Sequence, residues 1–415
     1  MIRIGIIGCG RILAAHLQAY RLLRDAGIHS FEITALCSRK ASDAQSYIQR
    51  GAGPVQRKAV STMPGDPLAI DDEYLSDFQP GVEVEVFTDY EEMIATANID
   101  AVNDFTLHSL HHKIAELCFQ HGKHLMSQKP LAITMAAARQ MCEQAEQAGV
   151  TFGVFENVRF NPETRHLHWA FSADGPIGDF QMALLGNIGT WWAPDLIVAE
   201  TPWRHELIQA GGIALDLGPH MFNLIRYISG DIKDVSARTS VVEPKRYLLR
   251  DGEKIGAISC DADDTFYASF ATTSGASGTI FGGWSGHGTP TTIDHGPVFY
   301  GSKGRICSDQ VHLDGESSAQ SLAELYQNNA SVDRIEQDFP HGIKDGFALN
   351  QLDWLQAILE NRQPETSGHE GLMDLACAYA IVESAKAGRT VTIDEILSGE
   401  LRDYQIPIDQ HHGIK

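Results

Sequence analysis

The first sixteen residues, MIRIGIIGCGRILAAH, constrain the fold more than any other stretch. Ile2, Ile4, Ile6 and Ile7 form a short, β-branched and almost wholly apolar run, as expected of a strand buried on both faces. The run stops at Gly8-Cys9-Gly10, and Leu13, Ala14, Leu17 and Tyr20 then recur at helical spacing. Strand, tight glycine turn and helix follow one another directly. Gly8 can take a turn conformation closed to other residues, and Gly10 has no side chain to hold a ligand off the backbone. The N–H groups at the start of the helix carry partial positive charge that suits a phosphate. The stretch predicts a dinucleotide pyrophosphate site at Gly8, Cys9, Gly10, Arg11 and Ile12. An ordinary strand-to-helix turn is the competing reading, because Ala14 stands one residue beyond the usual third small residue.

Phe31 to Cys37 is the second strand candidate, and it ends in Ser38-Arg39-Lys40. In a dinucleotide fold this strand's tip meets the adenosine ribose, where an acid favours NAD and an arginine accommodates the 2′-phosphate of NADP. No acid stands here. Ser38 and Arg39 therefore predict a preference for NADP over NAD, with Arg39 offering a charge-assisted pair. The plainer reading is that Arg39 and Lys40 open the next helix as solvated charges.

At 415 residues the chain is long enough for two domains. Its 54 acidic against 32 basic residues give −22, which argues against nucleic acid or an anionic membrane surface as partner. No apolar run reaches the ~20 residues needed to span a bilayer. The seven cysteines are scattered without a C-x-x-C pair, and the first strand leaves no room for a signal peptide, so a cytoplasmic setting is expected.

From 51 to 81 the helical signal breaks into a Gly- and Pro-rich stretch, read as an insertion in the first domain. Strands follow at Val82 to Phe87 and Ile99 to Phe105, with a helix from Tyr90 capped by Asp89 between them. Asn103 and Asp104 are unusual inside a central strand, and a hydrogen-bonding role near the site is expected of them. His108 and His112 could share a helix face as metal ligands, but no third ligand falls at a telling spacing, so no metal is expected. Lys129-Pro130 is more informative: a lysine at a strand's carboxyl end sits where α/β folds gather their chemistry.

In order along the chain, GIIGCGRI with His16, FTDYEEMIATANIDAV, T-x-x-x-x-H ending at His111, GKHLMSQKPLA, ENVRFNP, GGIALDLGPHMFNLI and SAKAGRTVTID resemble the glucose–fructose oxidoreductase/inositol dehydrogenase (Gfo/Idh/MocA) family. The resemblance runs from Ile2 to about Asp394. It implies a nicotinamide-dependent oxidoreductase acting on a sugar, sugar derivative or cyclitol. By motif position it implies Lys129, Asp216 and His220 as catalytic residues: the histidine as acid/base on the reacting hydroxyl, the lysine orienting that oxygen, the aspartate assisting. Thr106, Leu107, His111, Gln128, Lys129 and Asn157 join the expected cofactor contacts. An unperturbed histidine, with a pKa near ~6.5, is suited to receive a proton at neutral pH. Spacing alone places Asp216, His220 and Asn223 on one helix face, with Leu217, Met221, Leu224 and Ile225 toward the other side as packing. Two positions depart from the family pattern: Gln128 replaces the glutamate of an E-K-P motif, and Asn223 replaces an aspartate.

The fold expected is an N-terminal Rossmann domain over 1–150 and a C-terminal α+β domain over 151–395, followed by a tail at 396–415. Strands at Phe180 to Leu185, Val235 to Val242, Asp264 to Thr272 and Gly278 to Gly283 read as an open, largely antiparallel sheet, which the resemblance makes a homo-oligomer interface, dimer or tetramer. Lys129, Asn157, Arg159, Trp203, Asp216 and His220 are the candidate substrate contacts, with Arg159 alternatively an interdomain ion pair and Trp191, Trp192 and Trp203 alternatively packing. Two rival functions stay open: a redox-assisted glycosidase with tightly bound NAD(H), and a non-catalytic dinucleotide-binding regulator.

Overall fold

The computed structural model describes residues 1–51, 59, 69–70, 73–189, 194–288, 291–292 and 296–414. Most of the 51–81 stretch, and Trp191 and Trp192, lie outside the described residues. The chain forms two compact units that do not follow chain order. One comprises Met1–Ala132, Ala138–Pro162 and Ile335–Gly371, the other Ile133–Ala137, Glu163–Arg334 and Leu372–Lys415.

The first unit is built on six parallel strands, β1 (Ile2–Ile7), β2 (Phe31–Cys37), β3 (Glu85–Phe87), β4 (Ala101–Asp104), β5 (His124–Ser127) and β6 (Phe152–Val154), in the order 3-2-1-4-5-6. Helices α1 (Leu13–Asp25), α2 (Ala41–Gln45), α3 (Tyr90–Thr96), α4 (His108–Gln120) and α5 (Met135–Ala148) follow in turn. The run before β3 is shorter as a strand than its apolar pattern predicts, since pairing starts only at Glu85. Asp89 caps α3 as expected, accepting a bond from the Glu91 N–H at 2.8 Å.

Asn103 and Asp104 acquire an account. Asn103 Oδ1 accepts from the Tyr20 hydroxyl at 2.7 Å and from Gln351 Nε2 at 2.9 Å, all three residues being buried. Gln351 belongs to the helix Gly346–Glu360, which packs on α1. Asp104 Oδ1 accepts from the Thr106 N–H at 2.9 Å and shapes the chain leaving β4. Burial raises its carboxyl pKa above the ordinary value.

The second unit carries α6 (Pro162–Ala170) at its start and α7 (Ile213–Ser229). Its ten-stranded sheet comprises β7 (Phe180–Ile188), β8 (Ile232–Ser240), β11 (Thr265–Thr272), β12 (Ser277–Gly283), β13 (Thr291–Thr292), β14 (Val298–Gly301), β15 (Gly304–Cys307), β16 (Gln310–Leu313), β17 (Gln320–Ser321) and β18 (Val391–Thr392), with β9 (Lys245–Arg250) and β10 (Glu253–Ser259) as a separate hairpin. The order is 17-16-15-14-7-12-11-8-18, with β13 paired to β7; among the described residues only β12 and β7 of this sheet run parallel. One face packs on α7, where Phe222 meets Phe270 edge-on at 6.1 Å. The other leaves Met182, Leu184 and Tyr267 exposed, as the alternation along β7 and β11 requires. The residues called a tail from sequence include a helix, Ile406–His412, with Ile408 buried.

Candidate active site

In the first unit the carboxyl ends of the parallel strands gather the predicted residues along one edge, at the switch in strand order between β1 and β4. Gly8 takes φ +101°, and its N–H donates to the Cys37 carbonyl at 2.9 Å. A Cβ there would lie 2.8 Å from the Phe105 carbonyl carbon, so only glycine fits. Gly10 differs. Its φ is ordinary and a Cβ would meet nothing within 4 Å. The protein's own packing does not demand glycine at position 10, whereas a ligand lying on the backbone would. That open cradle, at the start of a 13-residue helix whose N-cap Ile12 makes no side-chain capping bond, fits a pyrophosphate. The Tyr47 hydroxyl fixes the Gly10 carbonyl at 2.8 Å.

Around this turn, Ser38 donates its N–H to the Phe87 carbonyl at 3.1 Å, Arg39 is exposed, and Lys40 stands at the N-cap of α2. Thr106 and Leu107 lead from β4 into α4, and Leu107 is 47% exposed, an apolar surface open on the ligand edge. Gln128 and Lys129 leave β5, joined to Pro130 by a cis peptide bond. Asn157 opens the turn after β6.

Two predicted contacts are corrected. His111, expected against the cofactor, is fully buried with Nδ1 3.1 Å from the Leu131 carbonyl and Nε2 3.3 Å from that of Thr106. It braces the β4 loop against the segment after Lys129. Arg159, expected against substrate, is 5% exposed; it pairs with Glu370 at 2.9 Å and donates to the Glu365 carbonyl at 3.2 Å. Both partners lie in its own unit, so the pair is not interdomain either.

In the second unit the Gly211-Gly212 pair sets the start of α7. A Cβ on Gly211 would lie 2.6 Å from the Trp203 carbonyl, and one on Gly212, at φ +110°, would lie 2.2 Å from Asp263 Oδ1. Asp263 can therefore close over the helix end, its carbonyl accepting from the Ile213 N–H at 2.9 Å and Oδ2 from the Ala214 N–H at 3.0 Å. Asp216 follows on the first turn, accepting from Arg204 Nε at 3.0 Å, while the Arg204 guanidinium lies 4.4 Å from the centre of the Trp203 ring. Trp203 thus supports the arginine that holds Asp216. Beside it, burial lowers the His205 pKa to about 3, and its Nε2 accepts from the Val198 N–H at 3.1 Å.

Along α7, Asp216 and His220 are half-buried, and so are Leu217, Met221 and Leu224. The packed side is Leu215, Gly218, Phe222 and Ile225, together with Asn223, whose amide donates to Asp374 at 2.6 Å. The predicted division of this helix is corrected: Leu217, Met221 and Leu224 line the half-open side with His220, and only Ile225 packs as expected. At about 100° per residue, Asn223 falls behind Asp216 into the packed side.

Burial lifts the Asp263 carboxyl to about 7, the backbone N–H groups of Ala214 and of Asp263 itself offsetting part of that effect. The unfolded chain releases this proton near the ordinary value of 3.8, so the folded state holds the extra proton in between. Stability from this group is full below about pH 4 and is lost as pH rises through about 7, at up to about 1.4 kcal/mol per pH unit. Asp263→Asn flattens that decline in denaturant unfolding measured across the same window; parallel wild-type and mutant curves would refute the assignment.

A parallel 3-2-1-4-5-6 sheet with a glycine turn open at its switch point defines a dinucleotide-binding domain. Comparison with known proteins carries this further. Residues 2–156 match the "Oxidoreductase family, NAD-binding Rossmann fold" and residues 170–307 the "GFO/IDH/MocA C-terminal domain". The chain belongs to the Gfo/Idh/MocA family of oxidoreductases. It is 26% identical over 406 residues to D-apiose dehydrogenase of Paraburkholderia graminis, covering 94% of this chain and 89% of that one. It is 26% identical over 396 residues to myo-inositol 2-dehydrogenase of Thermotoga maritima, covering 95% and 99%. A levoglucosan dehydrogenase solved with NADH and L-sorbose shares the fold at TM-score 0.73 and 20% identity, covering 95% and 100%. Among the described residues no helix is long and apolar enough to cross a membrane.

Proposed function

We propose that this protein is an NAD(P)-dependent dehydrogenase that transfers a hydride between the nicotinamide and a hydroxyl or carbonyl of a sugar, sugar derivative or cyclitol. The observation that carries the reading is Gly10, a glycine the protein's own packing does not need, at the mouth of the β1 turn. Gly8 to Ile12 hold the pyrophosphate, Ser38 and Arg39 the adenosine ribose, and Thr106, Leu107, Gln128 and Asn157 the nicotinamide side. When bound, the nicotinamide supplies or accepts the hydride. Lys129 donates to the reacting oxygen and stabilises negative charge building there. His220 takes the hydroxyl proton in oxidation and returns it in reduction. Asp216, held by Arg204, assists from the preceding turn of α7. Trp203 and Asn157 are assigned to the substrate side of the site.

The test is an absorbance assay of nicotinamide reduction against D-apiose, myo-inositol, levoglucosan and a panel of aldoses and sugar acids. Turnover with any of them supports the reading. Silence across the panel, with a nicotinamide released on denaturation, would replace it with redox-assisted glycoside cleavage.

NADP is the preferred dinucleotide in this reading, supported by the absence of an acid after β2 and by the exposed Arg39. Arg39→Ala should weaken NADPH binding by about tenfold or more, the value of one charge-assisted pair, and leave NADH binding unchanged. Equal losses for both would remove the preference. We also assign the open sheet face to a second copy of the chain, supported by exposed Met182, Leu184 and Tyr267. Light scattering checks it, and a mass of 45.5 kDa would overturn it. The scattered cysteines support a cytoplasmic setting.

A further inference from the structure

Gln128 departs from its family's pattern, and its surroundings in the first unit explain what the amide does. Its Oε1 accepts from the N–H of the next residue, Lys129, at 3.2 Å. Its own N–H donates to the Asp104 carbonyl at 2.9 Å. With the side-chain oxygen fixed on a donor, the amide nitrogen is the atom that faces His16, and Nε2 of each side chain lies 2.8 Å from the other. His16 Nε2 must then accept, so its proton is on Nδ1 and the ring is neutral.

The ring's setting agrees. His16 is fully buried, stacked on Phe105 with centroids 3.9 Å apart and planes 16° apart, and flanked by Phe155 at 4.4 Å and Phe347 at 5.0 Å. Desolvation in this aromatic cage lowers its pKa to about 3. Among the described residues its Nδ1 has no hydrogen-bond partner. A buried imidazole with one nitrogen left unsatisfied is costly, which points to a use for the nitrogen that is satisfied.

We propose that Gln128 is a positioning residue for Lys129: a neutral amide that ties the Lys129 peptide to His16 on the first turns of α1. A carboxylate at position 128 cannot donate to a neutral His16 Nε2. It would force the other tautomer or a charged ring inside the aromatic cage. Glutamine and neutral histidine form a matched pair, and the match sets the direction in which the Lys129 side chain leaves the backbone. The proposal rests on the reading that Lys129 acts on the substrate oxygen.

The test combines Gln128→Met, Gln128→Glu and Lys129→Ala with a readout that needs no turnover. In histidine-labelled protein, two-bond ¹⁵N correlations report each ring's tautomer, and the His16 signal is the one of 18 lost in His16→Gln. Wild type should show His16 as the neutral Nδ1–H form at neutral pH, and Gln128→Glu should convert it to the Nε2–H or charged form. With the substrate that responds in the panel, Gln128→Met should lower kcat by about 10²-fold, the cost of misplacing a reacting group by about 1 Å, with KM for that substrate little changed. Placed on Lys129→Ala, the same change should cost nothing further. Wild-type His16 in the Nε2–H form, or an equal loss of kcat in both backgrounds, overturns the proposal. If Lys129→Ala turns over like wild type, the lysine's assignment fails while the tautomer still reports on the pair. Should Gln128→Met not fold, Gln128→Glu keeps the size and carries the same kcat comparison.

Discussion

Replacing His220 with alanine should lower turnover by about 10²- to 10⁴-fold while leaving dinucleotide affinity at the wild-type value. Oxidising a carbinol removes a hydride from carbon and a proton from oxygen, and the proton needs an acceptor at the moment the C–H bond breaks. His220 is the histidine on the half-open side of α7, one turn beyond Asp216, and the N-terminal end of that helix is held by Gly212 and Asp263. Lys129→Ala should cost about 10²- to 10³-fold, the usual value of one donor to a developing alkoxide. Added imidazole should restore part of the lost rate to His220→Ala and none to Lys129→Ala. The assignments fail if either variant turns over within about threefold of wild type, a difference of under 1 kcal/mol in barrier.

The second large effect separates the two glycines of the β1 turn. Gly8→Ala places a side chain at φ +101° and 2.8 Å from the Phe105 carbonyl carbon. Backbone strain alone costs about 1–3 kcal/mol, and β1 and β4 must shift besides. The expected result is a lowered thermal midpoint together with lost NADH binding. Gly10→Ala adds its methyl group to open space at an ordinary φ, so the midpoint should stay where it is. Its NADH affinity should nevertheless fall about tenfold or more if the pyrophosphate occupies that open space, as proposed. A Gly10→Ala protein that binds NADH like wild type would move the dinucleotide away from this turn.

Local pattern carried much of this fold. The apolar run of β1, the glycine turn, the Asp89 cap and the alternating strands β7, β8, β11 and β12 each depend on neighbours in sequence and each is present, although β8 runs from Ile232 to Ser240 rather than Val235 to Val242 and β7 continues past Leu185 to Ile188. What stayed illegible depends on distant partners. Asn103 makes sense only beside Tyr20 and Gln351, the latter 248 residues away. Arg159 reads as a substrate contact until Glu370, 211 residues on, takes its guanidinium. His16 lay in the family motif without a role, although a histidine within the apolar stripe of α1 signalled a buried ring in need of a partner. Asp263 gave no local sign, since its work is done on the end of a helix that begins fifty residues earlier. For α7, spacing placed Asp216 and His220 together but could not say which half of the helix would be covered.

The return of residues Ile335–Gly371 to the first unit has a consequence for how the protein is made. On the ribosome, all six strands of the parallel sheet emerge by residue 154, yet three hydrogen-bonding needs of this unit are met only much later. The Tyr20 and Asn103 pair waits for Gln351, the Glu156 N–H for Asn350, and the Val154 N–H for the Thr366 carbonyl. By then the whole 163–334 stretch has been synthesised. The first unit to emerge is completed only when Gly371 has been made, so vectorial synthesis gives the nascent N-terminal sheet no early independence, and its last polar groups are satisfied only by segments made long after its strands.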